Sequence, residues 1–349
     1  MKILKNKTWL FLSSFLCLVG CQEANSTTYN RAVWSEFIPY AQVEQQLPTL
    51  KANGLSLFIA FHQSTPDYDG FAHLYTAAQK LGVEVRPWLL LNENQGYWFN
   101  KWNFRASEIF VADFLRHCDQ RGIKPDYLIF DIEPPQNVVA KAEDDVGRAD
   151  FIGLLHDLTA FSKDSPLSAA IASYQSLVNS LHSRGIKVHA VTSNFVLDDQ
   201  NDTNMRIQSA LGLPITGIDW DEISFMIYRA DFMRIIGPVT SDIITRYADR
   251  AVASFGSRAG MDIGEAGHVS YPVPFEGYSD IDDLSNDANA AAASGIQNIH
   301  YYSLDGMSEA GVDHWLAPIE PKKPPFIDWK ASAVLHTLDT LRLLLPSAN

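Results

Sequence analysis

Residues 107–135 read SEIFVADFLRHCDQRGIKPDYLIFDIEPP, and this stretch decides the fold. Phe110, Val111, Phe114, Leu115 and Cys118 recur at helical spacing, which puts an apolar face on a helix over Ser107–Arg121. Gly122 follows, a residue that lets a chain leave a helix through the left-handed region. Tyr127–Asp131 is then a short apolar run, the pattern of a strand buried on both faces. It ends in two carboxylates one residue apart, Asp131 and Glu133, before Pro134 and Pro135 stop it.

The same unit repeats in both directions from there. Strand-like runs occur at Ala32–Phe37, Ser56–Phe61, Glu84–Leu91, Tyr127–Asp131, Lys187–Thr192, Glu222–Tyr228, Met261–Ile263 and Asn298–Leu304. Helix-like segments follow them: Val43–Ala52, Phe71–Leu81, Ser107–Arg121, a long stretch within Arg148–Ser183, Asn204–Leu211, Ser241–Phe255, Ile281–Ala293 and Trp329–Leu345. Glycine closes the helix at Gly54, Gly82, Gly122, Gly185 and Gly295. Alternation of this kind implies parallel strands joined by right-handed crossovers, and eight units predict an α/β fold, a single (β/α)8 TIM barrel over residues 31–349. A doubly wound open sheet shares the alternation, but no Gly-x-Gly-x-x-Gly follows a first strand and no Walker lysine loop appears. No cofactor is expected.

Of the 349 residues, 46% are hydrophobic and 19% charged, the balance of a globular chain rather than a disordered or multi-span one. Against 27 basic side chains stand 41 acidic ones, a formal charge of -14, and no stretch concentrates lysine or arginine as a phosphate-binding surface requires. Nucleic acid is therefore not expected as a partner, and a monomer is. Three cysteines without a Cys-x-x-Cys pair give no disulfide framework or cysteine-rich zinc site, and Cys118 reads as a buried structural thiol.

The first residues stand apart from the barrel. Lys2, Lys5 and Lys7 precede the apolar run Trp9–Val19, which has the length of a signal-peptide core and is short for a membrane span. It ends in Leu18-Val19-Gly20-Cys21, which resembles the lipobox of bacterial lipoproteins. That resemblance implies a signal peptide over residues 1–20, cleavage after Gly20 and a palmitate-type lipid anchor on Cys21. The polar stretch 21–30 then reads as a tether. Gln22 in second position, by resemblance to enterobacterial sorting, implies an outer-membrane lipoprotein whose domain faces the periplasm or the cell surface. Loss of residues 1–20 removes three lysines and no acid, so the mature charge is -17.

In such barrels the active site lies at the C-terminal ends of the strands. Positions two apart on a strand share a face, so Asp131 and Glu133 should both point into the barrel mouth. Two carboxyls held together on a partly dry surface resist ionising together, which lifts one toward the range of a general acid. The sixth run, Ile223-Ser224-Phe225-Met226-Ile227-Tyr228-Arg229, places Met226 and Tyr228 on one face, with the tyrosine at its end.

Asp-x-Glu ending the fourth strand and Met-x-Tyr ending the sixth resemble the chitinase-like family 18 glycoside hydrolases and their relatives. The resemblance implies that Glu133 protonates the glycosidic oxygen, that Asp131 orients and assists a substrate acetamido group, and that Tyr228 hydrogen-bonds the same group. It also implies a carbohydrate substrate, an oligo- or polysaccharide. The chain departs from the family's pattern in three places: Ile129 replaces one aspartate of the signature, leaving Asp126 alone before the pair; Arg229 stands where the family usually has aspartate; and Tyr301-Tyr302 replace the usual tryptophan of the last strand.

Asp131-Ile132-Glu133-Pro134 also resembles the Asn-Glu-Pro ending of retaining barrel glycosidases, in which the nucleophile is a glutamate ending the seventh strand. Glu265 in Met261–Gly267 occupies that place. A barrel that binds carbohydrate without turnover is the remaining alternative. Trp34 and Glu36 after the first strand, Trp88, Asn92 and Glu93 after the third, Trp98 in the next loop, Tyr271 after the seventh, and Tyr301 and Tyr302 on the last form the expected sugar-binding rim, with Met226. Sugar rings offer apolar C–H faces and a rim of hydroxyls, which aromatic and carboxylate side chains suit. The histidines show no His-x-His on the first strand and no His-Glu-x-x-His, so no metal site is expected; His189 and His300 read as hydrogen-bonded interior histidines. Gly-x-Ser-x-Gly is absent as well.

Overall fold

The computed structural model describes residues 28–346 except 137, 140, 142–150, 165, 200–203 and 270–274. The proposed leader, Cys21 and most of the tether lie outside the described residues. Eight strands form a closed barrel: β1 (Asn30–Ser35), β2 (Leu55–His62), β3 (Val85–Leu90), β4 (Tyr127–Ile132), β5 (Lys187–Ser193), β6 (Glu222–Tyr228), β7 (Ala259–Gly264) and β8 (Asn298–Tyr302). Every neighbouring pair is parallel, and β8 closes on β1 with His300 opposite Ala32. The expected (β/α)8 architecture is the observed one.

Strand alternation sorts the side chains into two cores. Val33, Leu57, Phe61, Leu89, Phe130, Phe225, Ile263 and Ile299 point outward and pack under the helices. Ala32, Trp34, Phe58, Ala60, Trp88, Leu90, Ile129 and Val191 point inward and fill the barrel itself. All five glycines at the expected helix-to-strand junctions, Gly54, Gly82, Gly122, Gly185 and Gly295, have φ between 64° and 96°, where a side chain is disfavoured.

Three departures from expectation have local causes. The stretch within Arg148–Ser183 is two helices, Phe151–Asp164 and Leu167–Ser183, because Pro166 offers no N–H to continue the first and instead opens the second. Arg229–Ile236 is an additional helix directly after β6. The last helix, Trp329–Leu344, does not fill the gap between β8 and β1, where the short helices Leu304–Met307 and Val312–Trp315 pack. It runs across the turns after β5 and β6, where Arg342 donates to the Asp198 carbonyl at 2.9 Å and Asp328 accepts from Thr240 N–H at 2.8 Å. Among the described residues no helix is long and apolar enough to cross a membrane.

Candidate active site

The mouth is organised around the end of β4. The segment after β3 adds a short rung beside that strand: Phe99 N–H donates to the Asp131 carbonyl at 2.8 Å, and Glu133 N–H donates to the Phe99 carbonyl at 3.0 Å. The backbone on both sides of Ile132 is thereby fixed, and Asp131 and Glu133 are held on one side of it. Asp131 is buried and accepts a 3.1 Å hydrogen bond from the Trp88 indole. Burial, then the charges of Glu133, Glu36 and Asp262, push its carboxyl well above the usual range. Glu133 is half-buried just past the strand; burial raises its carboxyl to about 8, although a hydrogen bond with Asp131 pulls the other way. One proton therefore stays with this pair at neutral pH, as for two carboxyls that cannot both ionise.

A third carboxylate faces the pair. Glu36, just past β1, accepts from Tyr302 at 2.6 Å on one oxygen and from Tyr97 at 2.8 Å on the other. Burial raises it to about 7, and the two tyrosines restrain the rise. Asp305 holds the turn, accepting from the N–H groups of Glu36, Phe37 and Ile38 at 3.0, 2.7 and 3.1 Å. Tyr97 sits at φ 66°, a strained region for a non-glycine residue, which its hydrogen bond to Glu36 helps to hold.

The opposite wall comes from β6 to β8. The Tyr228 and Tyr302 rings stack with centroids 5.4 Å apart. Burial, then the charges of Asp262, Glu133, Asp131 and Glu265, hold the Tyr228 hydroxyl well above its usual value, so it remains a donor. The turn carrying Glu265 is built by close backbone approach. A Cβ on Gly267 would meet the Gly306 carbonyl at 2.1 Å, one on Gly277 would meet the Glu265 carbonyl at 2.3 Å, and Ala266 N–H donates to the Tyr302 carbonyl at 2.8 Å. Glycine is required at both positions by space alone.

Beneath the mouth lies a charged floor. Glu222, the first residue of β6, accepts from Arg86 at 2.6 Å and lies 3.2 Å from His300 Nε2, while His300 Nδ1 meets Asp262 at 2.8 Å. Trp34 donates to the same Asp262 oxygen at 3.1 Å. Burial opposes charge on His300, but its hydrogen bonds to Asp262 and Glu222 outweigh this and raise it to about 8. His189 is pushed down to about 3, chiefly by burial, and bonds Ser224 at 2.8 Å. The two histidines do meet across the barrel, with ring centroids 5.3 Å apart. His189, Glu222 and His300 offer ligand atoms within 4.8 Å of one another. The Arg86 guanidinium already supplies that cluster's positive charge, so the residues fit an internal ion network better than a cation site.

Several expected rim residues stand elsewhere. Trp34 and Trp88 are 2% and 4% exposed and cross edge-to-face at 5.0 Å, their N–H groups committed to Asp262 and Asp131. They support carboxylates rather than present faces to a sugar, because two indoles are needed to fill the barrel's centre. Tyr301 points outward into the helical layer, opposite Val33 and Ile263, since only one of two adjacent strand residues can face inward. Asp126 is exposed before β4, and Arg229 turns outward to Asp287 at 2.9 Å and Asp283 at 2.6 Å. Trp98, half-buried, meets Tyr97 edge-on; Asn92 and exposed Glu93 stand in the turn after β3; Met226 lies in the inner cluster. Tyr271 lies outside the described residues. Asp262 and Asp305 also line or brace the mouth without a strand-end signal in the sequence: Asp262 is a lone acid inside an apolar strand, flanked at inward positions by Gly260 and Gly264.

No protein-family model matches the chain, and no curated protein matches it either. Among solved structures it is similar to the AHE enzyme from Alicyclobacillus herbarius, at 10% identity over 76% of this chain and 77% of that one, with a TM-score of 0.47. It is also similar to a glycoside hydrolase family 17 beta-1,3-glucanosyltransferase from Rhizomucor miehei (14% identity, 86% and 97% covered, TM-score 0.44). A third is a D-psicose 3-epimerase from Clostridium cellulolyticum H10, solved with D-tagatose (10% identity, 90% and 96% covered, TM-score 0.41). At these values the likenesses carry no argument about activity or substrate.

Proposed function

We propose that the protein is a glycoside hydrolase acting on an oligo- or polysaccharide, with Glu133 as its general acid and base. The observation that carries this reading is the carboxyl pair at the end of β4, in which Glu133 keeps its proton to about pH 8 beside buried Asp131. A protonated carboxyl at neutral pH is what cleavage of a glycosidic bond needs. Glu133 gives its proton to the glycosidic oxygen as the bond to the anomeric carbon breaks; water then supplies hydroxyl to that carbon and returns a proton to Glu133. Asp131 assists by holding the substrate, and Tyr228 donates to it. A second reading makes Glu265 the nucleophile, and its support is that the fields of Glu133 and Glu265 converge on the Tyr228 hydroxyl. The lipobox reading belongs to the same proposal: a barrel held at the outer membrane by a lipid on Cys21.

The test is Glu133→Gln, assayed by product release from an oligosaccharide panel. Turnover should fall by about 100-fold or more in a folded variant. Undiminished turnover would overturn the assignment.

A further inference from the structure

Seven large apolar side chains are exposed among the described residues, and five of them, Phe326, Ile327, Trp329, Leu343 and Leu344, belong to the last helix and the turn leading into it. Trp329 and Leu343 are close to four helical turns apart, so both ends of the helix put apolar groups on one side, about 21 Å from each other. Ala333, His336 and Thr340 are exposed between them, while Ala331 and Leu335 hold the opposite side in the core. The start of this strip is pinned. Buried Asp328 accepts Lys330 N–H at 2.9 Å and Thr240 N–H at 2.8 Å, and Phe326, Ile327 and Trp329 project around it.

Exposed apolar groups gathered in this way mark a surface that meets a partner. The chemistry of the strip selects lipid. Ile327, Leu343 and Leu344 have no ring to stack on a sugar, and residues 321–330 expose no carboxylate or amide to bind hydroxyls. A second copy would set the strip's lysines against their own counterparts. Tryptophan and phenylalanine with lysines beside them suit the boundary between headgroups and acyl chains. Lys322, Lys323 and Lys330 flank this end, against Glu320 and against Asp249, which lies 3.4 Å from Lys323. Asp339, beside the helix face, meets Arg250 at 3.6 Å. In a chain of formal charge -14, the face itself therefore offers anionic headgroups no opposing acid. Residues 21–29 span at most about 30 Å, so a lipid on Cys21 would keep this face at high effective concentration beside a bilayer.

We propose that the strip is a membrane-docking surface that lies along an anionic phospholipid bilayer, a second and non-covalent contact besides the lipid on Cys21. It rests on the lipobox reading for the nearness of the bilayer alone. A tether by itself leaves the barrel free to turn, whereas the strip fixes which side meets lipid. The last helix crosses the turns after β5 and β6, at the mouth ends of those strands, so the docked side is the one beside the mouth.

The experiment uses the mature chain as cells process it, reconstituted into vesicles of phosphatidylglycerol and phosphatidylethanolamine. Cys118 is buried, so Ile327→Cys carries an environment-sensitive fluorophore on a reachable thiol; Ile109→Cys, similarly exposed on the helix after β3, carries it as the comparison. Spin-labelled lipid should quench the probe at 327 at least threefold more than the probe at 109. Phe326→Ala with Trp329→Ala, or Lys322→Glu with Lys323→Glu, should cut that quenching by half or more. Equal quenching at both positions, or quenching unchanged in both double variants, overturns the proposal. So does a probe at 327 that is shielded before any vesicle is present, the mark of a second copy, or only by soluble polysaccharide, the mark of a sugar platform. If mass spectrometry finds Cys21 unacylated, the anchor reading fails alone, and the same comparison is made in Cys21→Ser with vesicles added from outside.

Discussion

The hydroxyl of Tyr302 donates to Glu36 Oε2 at 2.6 Å, joining the last strand to the turn after the first across the barrel mouth. This bond favours the ionised carboxylate and keeps Glu36 near 7 against the pull of burial. Tyr302→Phe should therefore raise Glu36 further, by about 1–2 pH units, since a hydrogen bond to a charged group is worth about 1.5–3 kcal/mol. In a pH–rate profile the acid limb should move upward by that amount. A profile that does not move would show that Glu36 does not titrate during turnover.

Glu133 makes an opposite demand on stability. The unfolded chain releases this proton near 4.5 and the folded chain near 8, so between those values the folded state binds more protons and stability falls as pH rises. The contribution is fully present below 4.5 and lost as pH passes 8. Glu133→Gln cannot ionise and should keep it: the variant should melt roughly 2–4 °C above the unaltered protein at pH 9 and level with it near pH 4. Scanning calorimetry across that range checks the sign, and a variant less stable at pH 9 would mean that Glu133 is not held neutral by its surroundings.

The barrel was legible because period and punctuation agreed. Each apolar strand ended where the helical spacing began, and glycine stood at the junctions that need a positive φ, as at Gly122 before β4. The carboxyl pair was legible because Asp131 and Glu133 interrupt an apolar run at its end. Asp262 carried no such signal, being a single acid within β7 whose meaning comes from His300 and Trp34 on β8 and β1. Tyr301 and Tyr302 show how much one register decides, since inward parity with His300 selects Tyr302 and sends Tyr301 to the helices. Exposure of Trp34 and Trp88 could not be read from position along a strand, because it depends on how many large rings the barrel's centre must hold. The last helix misled for a similar reason: its own pattern says that it packs, and only the chain between 316 and 328 decides where.

Glu222 tests the charged floor. It balances Arg86 at 2.6 Å and supports the proton on His300. Glu222→Gln leaves the buried guanidinium with only half-exposed Glu84, at 2.6 Å, as counter-charge, which should cost about 1–3 kcal/mol in denaturant unfolding. His300 should at the same time titrate below its present value near 8, because one of the two partners favouring its charged form is gone. Histidine NMR reads that second effect separately. A stable variant with an unshifted His300 would mean that the floor is not an ion network.

Trp88 separates support of a carboxylate from contact with substrate. Its ring is buried, and its N–H is the donor to Asp131 Oδ2, the other oxygen of that carboxylate having none. Trp88→Phe keeps most of the packing but strips this donor, so Asp131 should move further toward its neutral form, at a stability cost of about 1–3 kcal/mol. If Asp131 holds the substrate as an anion, kcat/KM should fall about tenfold or more at neutral pH, and raising the pH should not restore it, because Glu133 loses its own proton near 8. Trp34→Phe is the matched comparison, since it removes the indole from Asp262 instead and leaves the Asp131 bond in place. Equal losses in both variants would assign the effect to packing of the barrel's centre and not to the charge on Asp131.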